Sequence, residues 1–451
     1  MKLTIIGGGG FRVPQIIAAL AKRSRERLDV DHVCLYDVSD QRLRVMKAVL
    51  GGMTQAAALK IETTTDLASA VRGASFIFSA MRVGGTCSRV VDERVALNHD
   101  VLGQETVGPG GYAYAFRTIP EALRLARAVR DHAPEAWVIN FTNPAGIITR
   151  AMQTIMGNRV VGICDTPIGL VRRVARALGL AEADIEYDYV GLNHLGWLRS
   201  INVRGKDHLP RLLADDRLLS EIEEARIIGF DWVRGLGMLP NEYLFYYYHN
   251  REAVAQIKKE FHTRGEYLDE QQSKFYRAAD EIPDQATELW DDAHREREAT
   301  YMAEAREVAG EGERHQDDVE SGGYQEVALD LMEALSGGGH TRMILGVCNS
   351  IAGDLIVPSL GPADVVEVPC EVDATGIHPQ PVAPLQGPQR GLISQVSACE
   401  ELVVAAATSF DKGLAWQALA SHPLVDSVMV AREMLDEYCA QIPEVGAAFD
   451  S

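Results

Sequence analysis

The stretch from Lys2 to Asp37 limits the fold more than any other part of the chain. Lys2-Leu3-Thr4-Ile5-Ile6 is a short apolar run that ends in Gly7-Gly8-Gly9-Gly10, and Gln15 to Arg23 follows with Ile16, Ile17, Leu20 and Ala21 at helical spacing. A second run, Val33-Cys34-Leu35-Tyr36, ends in Asp37. In a strand, glycine turn, helix and acid-tipped strand, a pyrophosphate lies against glycine backbone and helix-terminal N–H groups while the acid accepts from a ribose hydroxyl. Gly7, Gly8, Gly9, Gly10 and Asp37 are therefore the expected dinucleotide-binding residues, and an acid at position 37 favours NAD over NADP. The usual last glycine of this fingerprint is absent, its place falling on Arg12 or Val13 according to register.

The alternation continues through Ser75 to Ala80, Ala136 to Phe141 and Arg159 to Ile163, with helical patterns such as Pro120 to Asp131 between them. Short apolar runs spaced by helices predict an α/β fold, a doubly wound Rossmann-type parallel sheet over residues 1–195. From 196 to 451 the alternation weakens into a mixed α+β region. Helices are expected at Leu218 to Ile227, Gln271 to Ile282, Asp284 to Arg297 and Val327 to Leu335, with Pro283 breaking or kinking the middle pair. The tyrosine-rich segment Tyr243 to Tyr248 reads as a helix with aromatic core contacts, and Gly310 to Gly323 as a solvated loop. Glu367-Val368-Pro369-Cys370 reads as a strand returning to the body.

Composition narrows the partners. A formal charge of -20 argues against a general nucleic-acid or anionic-membrane surface, although a small anionic substrate is compatible with a few converging arginines. No apolar run reaches the ~20 residues that span a bilayer, and Met1 to Ile6 already reads as a strand rather than a targeting segment. Seven scattered cysteines, an odd number, fit reduced thiols and a cytoplasmic location.

Ligands of such sheets collect at the carboxyl ends of strands. Besides the glycines and Asp37, those ends hold Arg82, Asn143, Cys164 and Asp165, and the polar Gly103-Gln104-Glu105-Thr106-Val107-Gly108-Pro109-Gly110-Gly111 is an odd choice for mere connection. Cys164 and His194 could clamp one metal ion. Two ligands are too few for a structural zinc site, which takes four, but they suit a catalytic ion completed by substrate oxygens, for which manganese is compatible. Taken singly, each residue also has a bland reading as a core residue, a turn or a surface charge.

Together the motifs Gly7-Gly8-Gly9-Gly10, Tyr36-Asp37, Arg82-Val83-Gly84, Gly103-Gln104-Glu105-Thr106, Asn140-Phe141-Thr142-Asn143-Pro144-Ala145, Cys164-Asp165-Thr166-Pro167, Gly191-Leu192-Asn193-His194, Pro240-Asn241-Glu242-Tyr243 and Glu367-Val368-Pro369-Cys370 make a recognisable set. In this order, over nearly the whole chain, they resemble glycoside hydrolase family four, the NAD- and manganese-dependent glycosidases, and most of all its 6-phosphoglucosidase members. The resemblance implies Mn²⁺ on Cys164 and His194, sugar hydroxyls on Asn143 and Arg264, and Arg82 on the phosphate side. It implies Tyr243 as base, Asp165 as acid, a phosphorylated disaccharide or glucoside as substrate, and a homo-oligomer, dimer or tetramer. The implied reaction is NAD-dependent oxidation at carbon three, elimination, water addition and re-reduction, outside the two-carboxylate scheme.

Two departures stand out. Gly10-Phe11-Arg12 replaces the hydroxyl-bearing residues after the glycines of the phosphoglucosidase members, and Cys-Asp-Thr-Pro looks more like the α-specific than the β-specific ones. The anomer stays open. Competing readings are hydrolysis of unphosphorylated glycosides, a hydroxy-acid dehydrogenase and an NAD-sensing binding protein.

Overall fold

The computed structural model describes residues 1–260, 262–300, 302–310, 323–351 and 353–449. Strands β1 (Lys2–Ile6), β2 (His32–Tyr36), β3 (Lys60–Thr64), β4 (Phe76–Ser79), β5 (Trp137–Asn140) and β6 (Val160–Gly162) pair in parallel in the order β3-β2-β1-β4-β5-β6. Side chains alternate across a strand, so Leu3 and Ile5 enter one core with Val33, Leu35, Phe76 and Phe78, while Ile6 enters a second with Cys34, Tyr36 and Ile77. Helices α1 (Val13–Lys22) and α2 (Asp40–Gly51) cover the first face; α3 (Leu67–Val71) covers the second. Of the later helices, α4 (Gly85–Asn98) follows β4, α5 (Pro109–His132) and α6 (Ala145–Met156) add to the second core, and α7 (Thr166–Leu178) adds to the first. The doubly wound sheet expected from the apolar runs is present. Strand β3 was invisible to that pattern because Lys-Ile-Glu-Thr-Thr is an edge strand with no apolar run.

The strand order reverses between β1 and β4, which opens a crevice at their carboxyl ends. Gly7 forms its lip: φ is +85° and a Cβ would stand 2.6 Å from Ala80 O, so a side chain is excluded.

Past β6 the sheet continues in antiparallel fashion. β7 (Ile185–Leu192) and β8 (Leu195–Val203) form a hairpin, and β9 (Lys206–Asp207) and β10 (Leu239–Pro240) pair with β8. β11 (Thr341–Cys348) and β14 (Val365–Asp373) lie between β6 and β7, β15 (Gly376–Pro379) pairs with β14, and β12 (Ser350–Ile351) and β13 (Asp354–Leu355) make a separate pair. The expected returning strand Glu367 to Cys370 is part of β14. Among the described residues the main sheet has 13 strands, and the boundary drawn between 195 and 196 falls inside the β7–β8 hairpin.

Three long helices of the second half, α8 (Arg264–Glu281), α9 (Ala286–Ala299) and α10 (Tyr324–Leu335), cover the expected segments except Ile282, Asp284 and Gln285, with Pro283 in the turn that separates α8 from α9. The helix expected over 218–227 is instead two short ones, Asp216–Leu219 and Glu223–Ile228. Buried Glu224, paired with Arg173 of α7, anchors the second. The tyrosine segment is a 3-10 turn, Glu242–Leu244, followed by one helical turn, Phe245–Tyr248. Of the expected loop Gly310 to Gly323, residues 311–322 lie outside the described residues. No helix among the described residues is long and apolar enough to cross a membrane.

One buried ion pair bolts α5 to α4 beneath the crevice. Arg117 donates to both oxygens of Asp92 at 2.8 and 2.6 Å and through Nε to Val83 O at 3.0 Å, with both side chains fully buried. Burial pushes the Asp92 carboxyl up to about 6 even with Arg117 opposing. Arg117→Leu leaves that carboxylate without its partner and should destabilise the protein by about 3–5 kcal/mol, whereas Arg117→Leu with Asp92→Leu should recover most of the loss. Chemical-denaturation midpoints of the two variants check this; equal loss in both would contradict it.

Candidate active site

The glycine turn spends its own donors. Gly7 N and Gly8 N donate to Tyr36 O at 2.9 and 2.7 Å, Gly9 N to Asp37 Oδ2 at 3.0 Å and Gly10 N to Gly7 O at 2.8 Å. The N–H groups of Phe11 and Arg12, just ahead of α1, make no hydrogen bond within the described residues. An anion approaching this helix end would therefore meet Phe11 and Arg12 N–H, with the glycines allowing the approach. Asp37 also accepts from Ser39 N at 2.9 Å, and its carboxylate keeps lone pairs for a further donor. The carbonyls of the same loop point toward the second half of the chain. Tyr276 of α8 donates to Gly9 O, Trp290 of α9 to Phe11 O, both at 2.7 Å, and Tyr324 of α10 to Arg12 O at 3.1 Å.

A cavity of about 680 Å³ opens beside this turn, lined from both halves. It brings together Gly7, Gly10, Arg82, Asn143, Cys164, Asp165, His194, Tyr243 and Arg264; Gly8, Gly9 and Asp37 lie off its wall. Arg82, Asn143 and the Cys164-Asp165 pair follow β4, β5 and β6. Asn140 organises the loop after β5: its Nδ2 donates to Thr142 O and Ala145 O, and its Oδ1 accepts from Thr142 N. The Asn143 side chain itself makes no hydrogen bond among the described residues, and the Asn143-Pro144 peptide is cis.

Cys164 and His194 are linked by a path of contacts. Cys164 Sγ lies 3.3 Å from Thr166 Oγ1, which accepts from Asn241 Nδ2 at 2.8 Å. Asn241 Oδ1 accepts from Tyr243 N at 3.0 Å, and the Tyr243 ring stacks on His194 with centroids 3.7 Å apart. His194 occupies the β7–β8 turn with φ of +63°, an uncommon conformation for a residue with a side chain. Burial pushes its imidazole down to about 3 despite Glu105 nearby, so it is neutral, and burial pushes the Cys164 thiol well up. Next to His194, Asn193 Nδ2 donates to Glu367 Oε1 at 2.9 Å, and burial pushes the Glu367 carboxyl up to about 8.

The loop ahead of α5 holds the other wall. Glu105 sits between Arg82 and Arg89, with 2.6 Å to Arg89 Nη1; Arg89 Nε donates to Glu93 Oε1 at 2.7 Å, and Glu93 Oε2 accepts from Gly265 N, also at 2.7 Å. Burial alone would raise the Glu105 carboxyl, but the two guanidiniums outweigh it and hold it well below the usual carboxylate range. The expected glycine-rich loop is only partly loop: α5 begins at Pro109, and Gly110 and Gly111 form its first turn. A Cβ there would stand 2.5 Å from Gln104 O and 2.7 Å from Thr106 C, so the glycines let the loop lie on the helix. The segment His262-Thr263-Arg264 is a helix cap in which Thr263 and Glu266 satisfy each other's backbone N–H. Arg264 lines the cavity and donates to Arg297 O at 3.0 Å and Thr300 Oγ1 at 2.5 Å.

Sequence reasoning passed over several cavity residues. Arg12 packs on Phe141 and Tyr324, 5.4 and 4.9 Å from their ring centres, and Arg297 lies over Phe11. Neither guanidinium has an ion pair among the described residues. A helical reading of 286–299 gives no sign that Arg297 faces inward, while Arg12 was noticed only as a departure from the glycine pattern.

Two family descriptions match the chain: Family 4 glycosyl hydrolase over residues 2–180 and Family 4 glycosyl hydrolase C-terminal domain over residues 189–425. A maltose-6'-phosphate glucosidase of Bacillus subtilis is 30% identical across 96% of this chain and 94% of its own. A probable 6-phospho-beta-glucosidase of the same organism is 28% identical across 97% and 95%. Among solved structures, a 6-phospho-alpha-glucosidase from gut microorganisms in complex with NAD and Mn²⁺ superposes with a TM-score of 0.78 at 25% identity, covering 99% of this chain and 98% of that one. With matched segments spanning nearly its whole length, the chain belongs to the family 4 glycosyl hydrolases.

Proposed function

We propose that this enzyme hydrolyses 6-phosphoglucosides with NAD and Mn²⁺ as cofactors. The names of its relatives and the groups held by the solved one support the substrate and cofactors. The observation that carries the reading is the path of contacts from Cys164 through Thr166, Asn241 and Tyr243 to His194, its two ends, Thr166 and Tyr243 lining a cavity shared with the glycine turn.

The residues present fit both groups. The unspent N–H groups of Phe11 and Arg12 stand beside Gly10, where a Cβ would meet Gly7 O at 2.8 Å, and together they suit a pyrophosphate. Cys164 and His194 would hold the cation. No group of three His, Cys, Asp or Glu side chains suited to a metal occurs among the described residues, so sugar hydroxyls and water would complete its shell.

When bound, the cofactor and cation supply reversible hydride acceptance from sugar carbon three and polarisation of the ketone so formed. Tyr243 takes the acidified proton from carbon two, and Asp165, at the start of α7, protonates the leaving oxygen. Asn143, with its amide unspent, and Arg264 hold sugar hydroxyls, and Arg82 faces the phosphate side. Water addition at carbon one completes hydrolysis with no net redox change. Residues 1–195 supply the cofactor turn and Cys164, and residues 196–451 supply Tyr243 and Arg264. A cytoplasmic homo-oligomer belongs to the same reading.

Turnover of α- and β-linked nitrophenyl glucosides, with and without a 6-phosphate, in NAD⁺, Mn²⁺ and reductant is the direct test. The expected result is release of nitrophenol from a phosphorylated substrate without NADH accumulation. Stoichiometric NADH would favour a hydroxy-acid dehydrogenase, and NAD binding without turnover a sensor. Cys164→Ser should lose manganese-dependent turnover and keep NAD affinity; full activity would remove Cys164 from the metal site. Tyr243→Phe should lose solvent deuterium exchange at carbon two, and unchanged exchange would assign the base elsewhere.

A further inference from the structure

The hydrogen bonds of the loop before α5 bear on which nitrogen of His194 carries its proton. Gln104 Oε1 accepts from Thr106 N at 2.6 Å and from Val107 N at 2.8 Å. Only the carbonyl end of an amide can accept twice, so the orientation of Gln104 follows from its partners. Thr106 Oγ1 stands 3.2 Å from that same Oε1 and 2.8 Å from His194 Nδ1. A hydroxyl has one proton to give. In the oxygen–oxygen contact with Gln104 only the hydroxyl can be the donor, because Oε1 has no proton. Facing Nδ1, Thr106 Oγ1 therefore offers a lone pair, and the proton in that bond belongs to the imidazole. The chain of donors runs from His194 Nδ1–H to Thr106 Oγ1–H to Gln104 Oε1, which leaves the lone pair of His194 on Nε2.

We propose that Thr106 is a positioning residue that holds His194 as the Nδ1–H tautomer with Nε2 presented to the divalent cation, and that Gln104 sets Thr106 for this task. The proposal rests on the reading of Cys164 and His194 as metal ligands and adds the group that orients one of them. Rings that bind metals through one nitrogen commonly donate from the other, and loss of the outer partner weakens binding. Two further contacts limit the ring: Tyr243 stacks on its face, and the +63° backbone of the hairpin turn fixes where the side chain starts. Gly110 and Gly111 serve the same end by letting residues 104–106 lie against α5.

The test uses the full chain and Mn²⁺ alone as the probe, with free Mn²⁺ read by electron paramagnetic resonance. Thr106→Val, similar in shape but without the hydroxyl, should raise the Mn²⁺ dissociation constant about 10–100-fold, while Thr106→Ser should stay within about threefold of the native protein. NAD affinity should be unchanged in both. Nitrogen NMR of metal-free protein labelled at histidine should show His194 protonated at Nδ1 in the native chain and in Thr106→Ser. Native Mn²⁺ affinity in Thr106→Val, alongside its loss in Cys164→Ser, would overturn the role of Thr106 while leaving the metal site standing. Native Mn²⁺ affinity in Cys164→Ser would overturn the metal reading and this inference with it. Should Thr106→Val not fold, the native spectrum decides, and a proton on Nε2 overturns the proposal.

Discussion

Glu105, buried between Arg82 and Arg89, is the contact through which the walls of the cavity are fixed relative to one another. A carboxylate taken out of water loses several kcal/mol of solvation, and this one keeps its charge because two guanidiniums close on it. Its chain neighbours Gln104 and Thr106, on either side, turn toward each other, and Thr106 reaches His194. On the other side the network passes through Arg89 and Glu93 to Gly265 N, the residue after Arg264. One ionic lattice thus positions Arg82 after β4, the helix end carrying Arg264, and the loop whose Thr106 reaches the imidazole.

The glycine turn depends on a second set of contacts of different chemistry. Its amide groups are consumed by β2 and by the turn itself, while Tyr276, Trp290 and Tyr324 take its carbonyls. Donors on large aromatic side chains add buried area to each hydrogen bond, so the three helices of the second half are fastened to the glycine turn of the first. The continuous sheet does the same from beneath, carrying β11 and β14 between β6 and the hairpin that bears His194. The two halves share both a floor and a rim.

How much of this was legible in the sequence follows from the range of each interaction. Apolar runs announced β1, β2, β4, β5 and β6, and the glycines and Asp37 announced the turn, because these signals are local. The edge strand β3 has no such run, and the break between Leu219 and Glu223 reflects a pairing of Glu224 with distant Arg173. Cys164 and His194 could be named as a pair, but the path joining them passes through Asn241 and Tyr243, which no spacing in the chain brings near. Thr106 stood in a polar loop and in one motif of the family resemblance, with no role attached to it. Its partner lies 88 positions away, and only the hairpin turn brings the two together.

The arginines answer a question that composition raised. A chain of net charge -20 repels anions at long range, so a phosphorylated sugar must be met by local charge. Arg12, Arg264 and Arg297 all line the cavity, and burial together with Arg12 and Arg264 pushes Arg297 down to about 9. Like charges held together in this way cost energy, eased in part by Glu298 beside both Arg12 and Arg297 and by Asp165 and Glu105 near Arg12. A dianion of the proposed substrate would remove that cost. Where the phosphoglucosidase members carry a hydroxyl after the glycines, Gly10-Phe11-Arg12 removes that hydroxyl and supplies a cation in its place.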